Sequence, residues 1–83
     1  MRHALYFTAE WCGPCKKVRP IVEEINRDSA NKFQVIDADS NLELCKQYNV
    51  GSIPTFILIE DSTEINRMVG AKTKQELEDF LNG

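Results

Sequence analysis

Ala4-Leu5-Tyr6-Phe7-Thr8 runs directly into Ala9-Glu10-Trp11-Cys12-Gly13-Pro14-Cys15, and from there into Lys16-Lys17-Val18-Arg19-Pro20-Ile21-Val22-Glu23-Glu24-Ile25. The opening run, Ala4 to Thr8, is apolar and β-prone and reads as a short buried strand. Val18, Ile21, Val22 and Ile25 then recur at i, i+3, i+4 and i+7, which is the stripe of an amphipathic helix from about Cys12 to about Asp28. The cysteine pair therefore stands at a helix N-terminus, beyond the C-terminal end of a strand, where open α/β sheets place their sites. Pro14 suits the first turn, whose N–H groups have no intrahelical partner. Pro20, deeper in, deletes the bond to the Lys16 carbonyl and is expected to kink the axis.

That placement decides the chemistry. At a helix N-terminus a thiolate faces unpaired backbone N–H groups and the positive end of the macrodipole, so the pKa of Cys12 is expected to be lowered. Two intervening residues bring the sulfurs within bonding distance, and a mixed disulfide on Cys12 can be attacked by Cys15. Cys15, one turn in, is expected to be the less exposed thiol. Lys16 and Lys17 add positive charge nearby, screened by salt. Trp11 offers a flat apolar surface beside the nucleophile.

Outward from this stretch, Phe33 to Asp37 reads as a second strand, and Asp39 or Ser40 can cap a helix from about Asn41 to Tyr48, with Leu42 and Cys45 on its inner face. Thr55 to Ile59 is a third, central strand. A four-residue turn, Glu60 to Thr63, leads to a fourth strand, Glu64 to Val69, ended by Gly70. Thr73-Lys74-Gln75-Glu76 is a capping-box pattern, followed by the stripe Leu77, Phe80 and Leu81. The order β-α-β-α-β-β-α predicts an α/β fold: a four-stranded mixed sheet with three helices on its faces, the crossover pair parallel and the last pair an antiparallel hairpin.

The whole chain bounds the function. Its 83 residues carry 10 basic and 13 acidic side chains, a net charge of 10 − 13 = −3. One domain over residues 1–83 is expected, with no room for a large cofactor cavity. A mildly acidic surface with scattered signs argues against nucleic acid. No apolar run reaches the ~20 residues that span a bilayer, and Met1-Arg2-His3 opens onto no signal-like segment, so the expectation is a cytoplasmic protein. Three cysteines are too few for a disulfide framework; in a reducing compartment the Cys12/Cys15 pair is catalytic or metal-binding. Zinc would need two more ligands, with only Cys45 and His3 remaining as soft candidates. Cys45 is read as a small buried hydrophobe and His3 as a solvated N-terminal residue.

Trp11-Cys12-Gly13-Pro14-Cys15 with Lys16, Pro20, Gly51-Ser52-Ile53-Pro54-Thr55 and Gly70-Ala71 closely resemble thioredoxin, over essentially the whole chain. The resemblance implies a thioredoxin-like fold lacking the family's first strand and helix, and a protein-disulfide oxidoreductase with no cofactor beyond its own disulfide. It implies Cys12 as nucleophile and Cys15 as resolving thiol, with Trp11, Gly13, Pro14 and Lys16 tuning them. Pro54 would be a cis proline facing the pair, and Ile53 would offer its backbone to an extended substrate segment. Gly51, Gly70 and Ala71 would keep the rim low. The implied partners are disulfide-bearing proteins and a thioredoxin-reductase-like electron donor, and the expected state is a monomer.

Three positions depart from the family pattern. Thioredoxins usually carry a buried aspartate six residues before the first cysteine, where this chain has Tyr6; a lysine on the next strand is replaced by Val35, and a tryptophan by Thr8. Deprotonation of Cys15 is therefore expected to rely on water or substrate. Two rival readings stand beside the main one. One is a glutathione-linked, glutaredoxin-like reductase, suggested by the short layout although glutaredoxins typically carry C-P-Y-C. The other is a thioredoxin-type binding subunit without redox turnover. Without the family's first strand, Phe33 to Asp37 is expected to become a sheet edge blunted by Asp37.

Overall fold

In the computed structural model, which describes residues 1–83, the first strand begins before the apolar run. β1 spans Arg2–Thr8, not Ala4–Thr8, because its pairing with a neighbouring strand continues through Arg2 and His3. Ala4 to Thr8 run parallel to β2 (Phe33–Asp37), and Arg2 to Phe7 run antiparallel to β3 (Thr55–Glu60). The β3 ladder carries on through Arg2 and His3, whose side chains are exposed, since ladder bonds belong to the backbone and ignore side-chain polarity. With β4 (Thr63–Val69) antiparallel to β3, the sheet order is β2-β1-β3-β4. Three helices complete the expected order: α1 (Gly13–Asp28), α2 (Leu42–Gln47) and α3 (Lys74–Asn82).

β1 and β3 are interior strands, and alternate residues feed opposite faces, which is why both read as unbroken apolar runs. Ala4, Tyr6, Phe56 and Leu58 join the α1 residues Val18, Val22 and Ile25 and the α3 residues Leu77, Phe80 and Leu81 in one core. Leu5, Phe7, Ile57 and Ile59 pack with Ile36 beneath α2 in a smaller one. Tyr6 stacks on Phe56 with ring centroids 5.0 Å apart, and Phe33 meets Phe56 edge-on at 5.5 Å. α1 runs through Pro20 as a single element. The capping box at α3 forms as expected: Thr73 Oγ1 accepts from the Glu76 N–H, and Glu76 accepts from the Thr73 N–H.

Three local expectations are corrected. The β3–β4 turn has two residues, not four: Asp61 and Ser62 have φ of 50° and 72°, the left-handed pair whose twist matches a tight hairpin. α2 starts one residue later and ends one earlier than expected. Asp37 caps a short 3-10 turn over Ala38–Ser40, accepting from the Asp39 N–H at 2.9 Å, while Asn41 precedes α2 with no side-chain cap. This added turn rotates the helix. Leu42 is thrown outward at 64% exposure, and Leu44, Cys45 and Tyr48 take the inner face. Cys45 is consequently half-buried instead of buried. β2 does lie at the sheet edge, where Val35 is exposed, and Asp37 at its end caps the 3-10 turn.

The loop from α2 to β3 is tied down from the far edge. The Arg67 guanidinium, held by Glu64 at 2.8 Å, donates to the Tyr48 carbonyl and, at 3.4 Å, to the Asn49 carbonyl. Asn49 itself is left-handed, with φ of 55°. β4 thus fixes where Val50 to Pro54 begin.

Candidate active site

Cys12 and Cys15 are joined as a disulfide, with Cα atoms 5.2 Å apart. Cys12 is the N-cap of α1: its backbone is extended, and its Sγ lies 3.2 Å from the Cys15 nitrogen in line to accept that N–H. A sulfur in that position is one that a backbone donor and the helix dipole stabilise as a thiolate. Gly13 and Pro14 are exposed in the first turn of α1, as is Lys16. The two cysteines are about equally covered, 3% and 2% exposed, so the expected difference between them is absent in the disulfide form. Ala9 and Ile53 pack against the pair, and Ile53 shields Cys12.

The second constellation faces the first. The Ile53–Pro54 peptide bond is cis, and the Ile53 carbonyl oxygen lies 3.7 Å from Cys12 Sγ. Pro54 is buried, and its carbonyl accepts from the Gly70 N–H at 2.9 Å, which draws the end of β4 against the site. Gly70 has φ of +98°, a conformation that side chains resist, so glycine is required there. Gly51 and Ala71 are exposed at the rim. The Cys12–Cys15 turn at the start of α1, the Ile53–Pro54 end of the α2–β3 loop and Gly70 after β4 thus gather at one end of the sheet.

Two features have no signal in the sequence. Trp11 is 68% exposed, as expected beside the pair, but its indole Nε1 donates to Asp39 Oδ2 at 2.8 Å. Asp39, one of two candidate caps for α2, instead orients the one tryptophan. Trp11, Leu42, Cys45, Val50 and Ile53 then border a shallow groove of about 460 Å3. The second feature lies beneath the pair. Tyr6, fully buried, donates its hydroxyl to Thr8 Oγ1 at 3.1 Å, and the same hydroxyl stands 3.5 Å from the Cys15 carbonyl. Burial pushes the Tyr6 phenol above its ordinary value, with the Thr8 hydrogen bond pulling the other way. Val35 is the β2 residue opposite Tyr6. Outside the pair, no three His, Cys, Asp or Glu side chains gather as metal ligands would. No helix is long and apolar enough to cross a membrane.

The family model for thioredoxin matches residues 2–83. The thioredoxin of Bacillus subtilis (strain 168) is 38% identical over 78 residues, covering 92% of this chain and 75% of that protein. The thioredoxin of Mycobacterium tuberculosis (strain ATCC 25618 / H37Rv) is 47% identical over 73 residues, 86% of this chain and 63% of the relative. A bifunctional thioredoxin reductase/thioredoxin of Mycobacterium leprae (strain TN) is 45% identical over 73 residues, 86% of this chain and 16% of the relative. Among solved structures, the thioredoxin of Fasciola hepatica superposes with a TM-score of 0.87 at 33% identity, covering 98% of this chain and 78% of that one. A disulfide capping a helix, a facing cis-proline loop and a match over nearly the whole length agree: the chain belongs to the thioredoxin family of thiol–disulfide oxidoreductases.

Proposed function

We propose that this chain works as a single thioredoxin-like domain over residues 1–83, reducing protein disulfides with Cys12 as nucleophile and Cys15 as resolving thiol. The observation that carries this assignment is the capping position of Cys12 Sγ, which accepts the Cys15 N–H and faces the Ile53 carbonyl. In the dithiol form the Cys12 thiolate attacks one sulfur of a substrate disulfide, and the other leaves as a thiolate and takes a proton. Cys15 then loses its proton and attacks Cys12 Sγ. The Cys12–Cys15 bond forms, the mixed disulfide breaks, and the substrate departs with two electrons. Trp11, Ile53, Pro54, Gly70 and Ala71 form the docking rim, along which an extended segment pairs with the Ile53 backbone. Gly13 and Pro14 shape the turn, and Lys16 adds positive charge beside it. The disulfide serves as the redox centre and no separate cofactor takes part.

A thioredoxin-reductase-like donor returns the electrons, a pairing suggested by the Mycobacterium leprae relative that carries both names in one chain. The protein acts as a monomeric electron carrier in the cytoplasm, where thiols are kept reduced. Insulin-disulfide reduction tests the assignment: Cys12→Ser abolishes turnover, and Cys15→Ser accumulates mixed disulfides through Cys12. If neither variant alters reduction, the assignment is wrong. Recycling by thioredoxin reductase with NADPH, compared with recycling by glutathione, separates the main reading from a glutaredoxin-like one. A Cys12→Ser/Cys15→Ser chain that still performed its cellular role would favour a binding subunit.

A further inference from the structure

The end of β1 and the turn after it meet the first turns of α1 around a small cavity. Its volume is about 30 Å3, and it is lined by Thr8, Ala9, Glu10, Cys15, Lys16 and Arg19. That is enough for one water molecule, provided polar partners are at hand. Thr8 supplies one. Its side chain is 1% exposed, and its oxygen already accepts the Tyr6 hydroxyl proton at 3.1 Å. A threonine hydroxyl committed as acceptor to one neighbour still has its own O–H and a second lone pair for another.

Cys15 lines the same cavity and is 2% exposed, so bulk water does not reach it freely. Yet the resolving step requires it to lose a proton. Tyr6, whose hydroxyl stands near the Cys15 carbonyl, and Thr8, on the same cavity, are neutral hydroxyls, and neither can hold that proton as a carboxylate would. The charged groups on the cavity are the exposed Glu10, Lys16 and the half-buried Arg19, while Arg19 and Glu23 act on the Tyr6 hydroxyl from α1. Glu10 is the one carboxylate among the lining residues.

We propose that Thr8, oriented by Tyr6, is a positioning residue that holds a water molecule in this cavity, and that this water takes the proton of Cys15 during the resolving step and passes it to Glu10 and solvent. The inference rests on the reading of Cys15 as resolving thiol. The Cys15 S–H bond breaks and the water gains the proton as it gives one to the Glu10 carboxylate. The freed thiolate attacks Cys12 Sγ, the new S–S bond forms, and the substrate thiolate leaves with the electron pair of the mixed disulfide. Because burial raises its pKa, Tyr6 stays a protonated donor through neutral pH and keeps Thr8 in one orientation.

The steps separate when the reduced protein is mixed with 5,5′-dithiobis(2-nitrobenzoate) in a stopped-flow instrument. Attack by Cys12 releases one coloured thiolate, and resolution by Cys15 releases the second. Thr8→Val, which keeps the shape and removes the hydroxyl, is expected to leave the first phase within about twofold and to slow the second about tenfold near pH 7, the rate equivalent of one lost hydrogen bond. Its second-phase pH profile should move upward. Thr8→Ser should recover the wild-type second phase to within about twofold, and Tyr6→Phe, which frees the Thr8 rotor, should slow it by about threefold. A second phase in Thr8→Val unchanged across the pH range, or both phases slowed by one common factor, overturns the proposal. Should Thr8→Val not fold, Tyr6→Phe decides: an unchanged second phase sinks the idea. A wild-type trace with a single release would overturn the resolving role of Cys15 itself, and this inference with it.

Discussion

Restoring the family's aspartate by Tyr6→Asp would at first sight repair the site, but the structure predicts that it dismantles the core. Tyr6 is completely buried and stacks on Phe56 in the larger of the two cores. An aromatic side chain removes about 150–250 Å2 from water, so at about 25 cal/mol per Å2 its loss costs about 4–6 kcal/mol. Desolvating the incoming carboxylate adds to this. At about 0.05–0.15 kcal/mol per residue, an 83-residue chain has about 4–12 kcal/mol in all. One substitution therefore takes much of the stability. Tyr6→Phe keeps the ring and loses the hydrogen bond to Thr8, costing about 1 kcal/mol.

Urea unfolding followed by circular dichroism distinguishes them. With a slope near 1 kcal/mol per molar, the midpoint should fall by about 1 M for Tyr6→Phe and by about 4 M or more for Tyr6→Asp. The second effect should also depend on pH with a definite sign. A buried carboxyl has its folded pKa raised above the unfolded value, so the folded state binds more protons between the two, and stability declines as pH rises through that window. Tyr6→Asp should thus be least unstable in mild acid. A midpoint within about 1 M of wild type at neutral pH would refute the reasoning, because the site would then be pre-formed to take a charge.

Other perturbations follow from contacts described above. Asp39→Ala releases the Trp11 indole and should raise KM for insulin severalfold with little change in the urea midpoint; an unchanged KM would show that the indole needs no anchor. Arg67→Met keeps the apolar stem but loses the donors to the Tyr48 and Asn49 carbonyls, and should cost about 1–2 kcal/mol in urea unfolding while also slowing insulin reduction. The Lys74 ammonium beside Glu24, the Arg67 guanidinium beside Glu64 and the Thr73 backbone N–H at Glu76 hold these carboxyls below the usual glutamate value of 4.5. A depressed folded pKa gives stability that is present above the unfolded value and lost as pH falls through the folded one. Melting temperatures should therefore drop below about pH 4.5, and Glu24→Gln/Glu64→Gln/Glu76→Gln should flatten that slope.

The parts of the fold readable in the sequence are those governed by period. The α1 stripe and the capping box act within a few residues, and the apolar runs of β1 and β3 announce strands buried on both faces. The parts that were not readable depend on how distant pieces meet. Asp61 and Ser62 adopt a left-handed pair without a glycine to signal it. Leu42 turns outward because Asp37 caps an extra turn, a choice between acceptable caps that local spacing does not decide. At the site, the motif residues were legible through their resemblance to a family. The Trp11–Asp39 and Tyr6–Thr8 bonds join polar groups whose partners follow no repeat, and they emerge only once the strands are in register.

The place of β1 in the sheet also governs when the site can exist during synthesis. Its antiparallel partners, from Phe7 with Thr55 to Arg2 with Glu60, lie about fifty residues downstream, and such distant pairings are slow to close. A nascent chain that has emerged only through α1 and β2 already carries both thiols, but neither the Ile53 carbonyl nor the Gly70 amide has yet arrived to complete the site. For that interval on the ribosome the cysteines are open to any oxidant or neighbouring thiol. Selectivity arrives only with the stretch from Ile53 to Gly70.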